Sequence, residues 1–136
     1  MALELVVVTP EGEAFSEAVQ QVVLPGEAGR FGVLESHERF LTPLVRGPMQ
    51  IVKPGGAVEW AALSSGFAEV DGQKVVVLVD GCALKSEIDR SASENRRAEA
   101  ARELALLADT PENAGERLRL AEVAARAELE VEVAGL

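Results

Sequence analysis

Short apolar runs alternate with turn residues over the first 85 residues, which is typical of a β-rich domain. Six runs rich in β-branched residues predict strands, at residues 3–8, 19–24, 31–34, 49–52, 58–63 and 74–79. Turn signals at residues 9–12, 25–26, 53–56, 71–72 and 80–81 separate them. A spacing of about ten residues, with Asp-Gly hairpin signals, favours an antiparallel sandwich or barrel. In residues 58–63, the alternation Val58-Trp60-Ala62 predicts one apolar face, with Glu59 pointing away.

After Lys85 the pattern changes to helical periodicity. Glycine and β-branched residues become rare, and Ala, Glu, Arg and Leu dominate. One apolar stripe runs from residue 88 to residue 108 and a second from residue 114 to residue 129. Between them, Thr110 suits an N-cap and Pro111 a first helical turn. We therefore expect two helices joined by a short connection.

Both helical stripes consist mostly of alanine. Alanine lets helices approach closely, but it buries little apolar area, at roughly 25 cal/mol per Å². Because an isolated helix of about 20 residues is only marginally stable in water, the pair depends on packing against the β-rich part or another protein. The helix pair is either a mobile element or fixed permanently on the β-rich domain.

Charge and cysteine content exclude several classes of function. The chain carries 23 acidic and 13 basic residues, a net charge of −10, which argues against binding to nucleic acid or to an anionic membrane surface. Cys82 is the only cysteine, so an intramolecular disulfide or a thiolate zinc site is excluded. No apolar run is long enough to span a bilayer, and the start of the chain lacks the features of a signal peptide. We expect a cytoplasmic location without direct membrane insertion.

The stretch LPGEAGRFGVLESHERFL (24–41) is the strongest candidate for chemistry, since three glycines precede the only histidine, His37. A phosphate-binding loop would need a lysine and a hydroxyl residue after the glycines, at the start of a helix, and here the chain continues as a strand. Glu35 and Glu38 flank His37, but the sequence offers no convincing nucleophile and no set of metal ligands. A structural or partner-facing role for His37 is favoured over a catalytic one.

Residues 24–52 resemble the signature of the epsilon subunit of the bacterial rotary ATP synthase. The matching positions are Pro25, Gly26, Gly29, Phe31, Gly32, Val33, Leu34, His37, Leu41, Leu44, Gly47 and Ile51. The later run LSSGFAEVDGQKVVVLVDGCA is similar to a second segment of that family. The resemblance implies a ten-stranded antiparallel β-sandwich over residues 1–86, followed by an antiparallel two-helix hairpin over residues 87–136.

The resemblance also implies a role that is not catalytic and needs no cofactor or metal. Such a subunit links the gamma subunit to the ring of c subunits in the central stalk, couples proton transport to ATP synthesis, and restrains ATP hydrolysis through transient contact of its helices with the catalytic alpha and beta subunits. It lies on the cytoplasmic face of the bacterial plasma membrane. The residues expected to meet these partners are Ala28, Gly29, Arg30, Phe31, Gly32, His37, Arg117, Arg119 and Arg126.

Two departures from the family pattern concern regulation. Some relatives bind ATP through a motif at the start of the first helix. Ile88 and Asp89 match the first two positions of this motif, but Ala92 occupies the position of its arginine. Glutamates at positions 128, 130 and 132 replace commonly basic residues, so inhibition of hydrolysis is expected to be weak or to rest on the three helical arginines alone. The alternatives to a stalk subunit are a stand-alone nucleotide-sensing module and a small hydrolase that uses His37.

Overall fold

The computed structural model describes residues 3–35 and 38–136, and the chain divides into two compact units, residues 1–85 and 86–136. The described residues of the first unit form ten strands: β1 Leu3–Thr9, β2 Gly12–Val19, β3 Gln21–Gly26, β4 Gly29–Val33, β5 Arg39–Leu44, β6 Gly47–Val52, β7 Val58–Leu63, β8 Gly66–Asp71, β9 Lys74–Val79 and β10 Cys82–Leu84. The second unit contains two helices, α1 Arg90–Leu106 and α2 Ala114–Ala134. Short 3₁₀ turns at Lys85–Glu87 and Pro111–Asn113 precede them.

The ten strands form one continuous sheet around a single apolar core, as in a sandwich or a partly open barrel. The strand order is β10-β7-β6-β3-β5-β8-β9-β1-β2, with β4 paired to β3. The prediction of a wholly antiparallel sheet is wrong at one place, because β1 pairs with β9 in parallel. The remaining strand pairs are antiparallel.

The predicted strands at 58–63 and 74–79 match β7 and β9. The predicted strand at 19–24 is wrong as a single element, since β2 ends at Val19 and β3 begins at Gln21. Four strands have no counterpart among the six runs that predict strands from their composition: β2, β5, β8 and β10. They are polar, contain a proline or are only three residues long, so their pairing partners rather than their own composition place them in the sheet.

Alternate residues of the strands fill the core. In β1 and β9, Leu5, Val7, Val75 and Val77 are fully buried, as the period of two along a strand requires. In β7 the main core cluster lies on the face opposite to the predicted apolar one, although Ala62 on the predicted face is also buried. Ala61 and Leu63 are buried, and Ala61 pairs with buried Met49. Trp60 therefore lies on the outer surface of the sheet.

The helices begin and end for local reasons. The carboxylate of Asp89 accepts a hydrogen bond from the backbone N–H of Ala92 at 3.2 Å and so caps α1. Thr110 and Pro111 begin a 3₁₀ turn rather than α2 itself, which starts three residues later. The two helices pack against each other, and contacts join residue 96 to residue 130 and residue 117 to residues 104 and 107.

Candidate partner-binding surfaces

The β3–β4 hairpin presents the glycine-rich segment predicted as a contact loop. Gly26 pairs with Gly29, leaving Glu27 and Ala28 as the turn. Gly29 has a φ of 130°, which L side chains rarely adopt. Ala28, Gly29, Arg30 and Gly32 are exposed and Phe31 is half-buried. The predicted segment therefore lies at the surface as a tight β-hairpin.

Side chains on both faces hold this hairpin in place. The Arg30 guanidinium lies 5.8 Å from the centre of the Trp60 ring, within the range of a cation–π contact. Phe31, which points to the other face, meets Phe40 edge-on, with ring centres 6.1 Å apart. Arg30 thus contacts β7 and Phe31 contacts β5, so the hairpin is anchored by side chains on both faces.

His37 lies outside the described residues, so its predicted role as a turn or contact residue remains a prediction.

A second surface, which sequence reasoning missed, lies on the outer side of β1, β5, β8 and β9. Pro43, Phe67, Leu78 and Val8 are register partners across these four strands and form an apolar row, here called the outer apolar row. Phe67 is 51% exposed and Leu78 47% exposed. The signal in the sequence was the unbroken apolar run of β9, which puts apolar side chains on both faces of the strand.

An open groove of about 640 Å³ follows the outer apolar row. Thr9, Pro10, Ser65 and Asp80 are among the other residues that line it. Leu41, which is 66% exposed, lies two residues along β5 from Pro43 and extends the apolar surface. A contiguous exposed apolar surface of this kind typically marks a protein–protein contact.

Two of the three helical arginines predicted to bind a partner are engaged within the helical unit. Arg117 donates to the backbone carbonyls of Leu107, at 2.5 Å, and Leu104, at 3.3 Å, near the end of α1. Arg119 makes two hydrogen bonds to Glu116, of 2.7 and 3.0 Å, which lower the pKa of that carboxyl. Arg126 is exposed.

The two nucleotide candidates lie at the start of α1. Ile88 is half-buried, and Asp89 uses its carboxylate as the helix cap. Among the described residues, no cluster of His, Cys, Asp and Glu is arranged to hold a metal ion. In the same part of the chain, neither helix has the length and apolar character needed to cross a membrane.

Comparisons with known proteins agree with this architecture. The family described as "ATP synthase, Delta/Epsilon chain, beta-sandwich domain" matches residues 2–85. The ATP synthase epsilon chain of Desulfosudis oleivorans is 43% identical over 103 residues, covering 76% of this chain and 74% of that one. The epsilon chain of Prochlorococcus marinus is 32% identical over 122 residues, covering 90% of each chain.

Solved structures show the same fold. A chain of the Euglena gracilis mitochondrial ATP synthase matches with a TM-score of 0.65 and 22% identity, over 96% of this chain and 76% of that chain. A chain of the Tetrahymena thermophila mitochondrial ATP synthase, in a structure of its central stalk and c-ring, matches with a TM-score of 0.60 and 14% identity, over 98% of this chain and 97% of that chain.

These findings define an accessory subunit of a rotary ATP synthase rather than a catalytic one. The chain belongs to the delta/epsilon family of ATP synthase and, within it, groups with the epsilon chains.

Proposed function

We propose that this chain works in the central stalk, where it links the gamma subunit to the c-ring and helps couple proton transport to ATP synthesis. Family membership supports the assignment to the stalk. The observation that supports a separate surface for each partner is that the β-rich unit exposes two surfaces of different chemistry. One is the outer apolar row with its groove, and the other is the β3–β4 turn with Arg30.

The outer apolar row suits a permanent protein partner, which we propose is the gamma subunit. Permanent interfaces resemble a domain core and are more apolar than transient ones. Phe67 and Leu78 leave about half of their surface exposed on neighbouring strands, so covering them removes apolar area from water. Phe67 is the expected anchor, since large aromatic residues dominate interface energies.

The β3–β4 turn suits contact with the c-ring. The family resemblance implies that the loops of this ring are polar. Arg30 is exposed and its guanidinium is positioned by Trp60, so a cation is presented in a fixed place. Phe31 and Gly32 complete this contact, with Ala28 and Gly29 at the tip. His37 is proposed to belong to the same contact.

For the helices we propose an antiparallel hairpin that restrains ATP hydrolysis only weakly. Contacts between residues 96 and 130, and between 117 and 104, support this orientation. Arg117 and Arg119 hydrogen bond within the unit, although Arg119 is itself exposed, and Arg126 is exposed as well. The exposed glutamates at 128 and 132 oppose an acidic partner, and Glu130 adds to them when it is not paired with Arg96. The complex is proposed to place this subunit on the cytoplasmic side of the bacterial plasma membrane.

Binding of surface variants to purified gamma subunit and to solubilised c-ring tests the two surfaces separately. Phe67→Glu places a charge in the outer apolar row and should weaken gamma binding at least about tenfold, the effect of losing a modest hot spot. Arg30→Glu should weaken binding to the c-ring. It should change gamma binding by no more than about twofold, since a charge outside an interface contributes little to its affinity.

Matched controls lie on the same sheet. Val58, which is 50% exposed on the outer side of β7, is as exposed as Phe67 but lies outside the outer apolar row. Val58→Glu should therefore leave gamma binding intact, and Lys74→Glu serves as the charge-reversal control for Arg30. Equal loss of gamma binding in Phe67→Glu and Val58→Glu would contradict the proposed gamma surface.

A further inference from the structure

The contact between α1 and α2 contains very little buried apolar surface from α1. Of the 17 residues of α1, only Ser93 and Ala100 are buried. A serine and an alanine contribute little hydrophobic free energy, because that free energy follows the apolar area removed from water. Most buried apolar residues of the helical unit thus belong to α2, where Leu120, Ala127, Leu129 and Val133 are buried, and α1 adds polar contacts to this packing.

A three-residue polar network spans the two helices. The Ser93 hydroxyl donates to Glu130 Oε1 at 3.0 Å, and Arg96 Nη2 donates to the same oxygen at 2.9 Å. Arg96 Nη2 also donates to Ser93 Oγ at 3.0 Å, which closes a triangle. Ser93 is fully buried, and the Glu130 side chain is only 15% exposed.

The geometry of the network makes it cooperative. Ser93 and Arg96 are three residues apart, so they lie on the same face of α1. Ser93 Oγ accepts from Arg96 while it donates to Glu130, so each group orients the other. Glu130, which is largely shielded from water, loses both of these donors if the helices separate.

We propose that Ser93, Arg96 and Glu130 form a polar latch that sets the equilibrium between a closed and an opened helix pair. A second polar contact, from Arg117 to the carbonyls at the end of α1, lies near the opposite end of the pair. The latch is a property of the helical unit and does not depend on the role in the stalk.

Amide hydrogen exchange of the full chain, followed by mass spectrometry, tests the latch. Arg96→Ala removes the exposed member of the network. It should speed exchange in the segments of both helices that contain the latch by about fivefold or more. This is the effect expected on an opening equilibrium when a partly exposed, charged hydrogen bond is lost. The control is Arg97→Ala, which removes the neighbouring exposed arginine. It should leave exchange unchanged. Equal exchange in Arg96→Ala and Arg97→Ala would overturn the latch.

A double-mutant cycle separates a latch from independent stabilising residues. Glu130→Ala alone should speed exchange as much as Arg96→Ala or more, and the double variant should speed it by less than the product of the two single effects. Effects that multiply in the double variant would mean that Arg96 and Glu130 act independently, which would also overturn the proposal.

Discussion

At Gly66 the sheet leaves no room for a side chain. A Cβ atom there would lie 1.9 Å from the carbonyl oxygen of Leu78, so only glycine lets β8 approach β9 at this register. Gly26 is similar, because a Cβ would lie 2.7 Å from the Gly29 carbonyl oxygen. Glycines are visible in the sequence, but the atoms that crowd them are not, since those belong to strands that pair only in the folded sheet.

Replacement of Gly66 by alanine should therefore be costly. Relieving the contact requires the backbone of β8 or β9 to move, and we expect Gly66→Ala to lower the free energy of unfolding by more than about 3 kcal/mol. The measurement is urea unfolding followed by the fluorescence of Trp60, the only tryptophan.

Gly32→Ala is the matched control within the same sheet. Its Cβ would lie 2.9 Å from the end of the Gln21 side chain, which is flexible and able to move aside. The expected loss is about 1 kcal/mol or less. Similar losses in the two variants would contradict the role of Gly66 in holding β8 against β9.

The candidate site was partly predictable at the same scale. The family resemblance implied a contact loop that includes Arg30, and the structure places Arg30 on an exposed hairpin. The contact with Trp60 was not predictable, because it depends on β3, β6 and β7 being neighbours in the sheet. The hydrogen bond of Arg117 to a carbonyl at the end of α1 was not predictable either, and its contact with a partner stays a prediction.

Among the elements, those with strong periodicity were predicted and those without it were not. The β-branched runs of β7 and β9 identify these strands. β5 carries Pro43, which removes a backbone donor and disfavours a strand by composition alone. The boundaries of α1 and α2 lie near those expected from the two alanine-rich stripes, since helical spacing and the break at 109–113 are local features.

The helical hairpin supports a prediction about regulation. Deletion of residues 87–136 should raise ATP hydrolysis by the assembled enzyme by no more than about twofold, because the exposed glutamates at 128 and 132 oppose contact with an acidic partner. The measurement compares the ATPase rates of enzyme assembled with the full chain and with the truncated chain. A rise of several-fold would show that the hairpin is a strong inhibitor and would contradict the weak-restraint proposal.

On the scale of the whole chain, the fold depends on pairing between strands that are distant in sequence. The parallel pairing of β1 with β9 joins residues 4–8 to residues 74–78, and no local pattern specifies such a contact. The same pairing places Val8 beside Leu78 and thereby completes the outer apolar row. The surface proposed for gamma is thus a product of topology, which explains why the sequence indicated apolar strands but not the row they form.

Affinity isolation of the tagged full chain from solubilised membranes tests the central claim most directly, with mass spectrometry asking for the gamma and c subunits. We expect the unaltered chain to retain both subunits. Phe67→Glu should lose gamma, while Val58→Glu should behave like the unaltered chain. Recovery of the unaltered chain without gamma and c subunits would contradict a place in the central stalk.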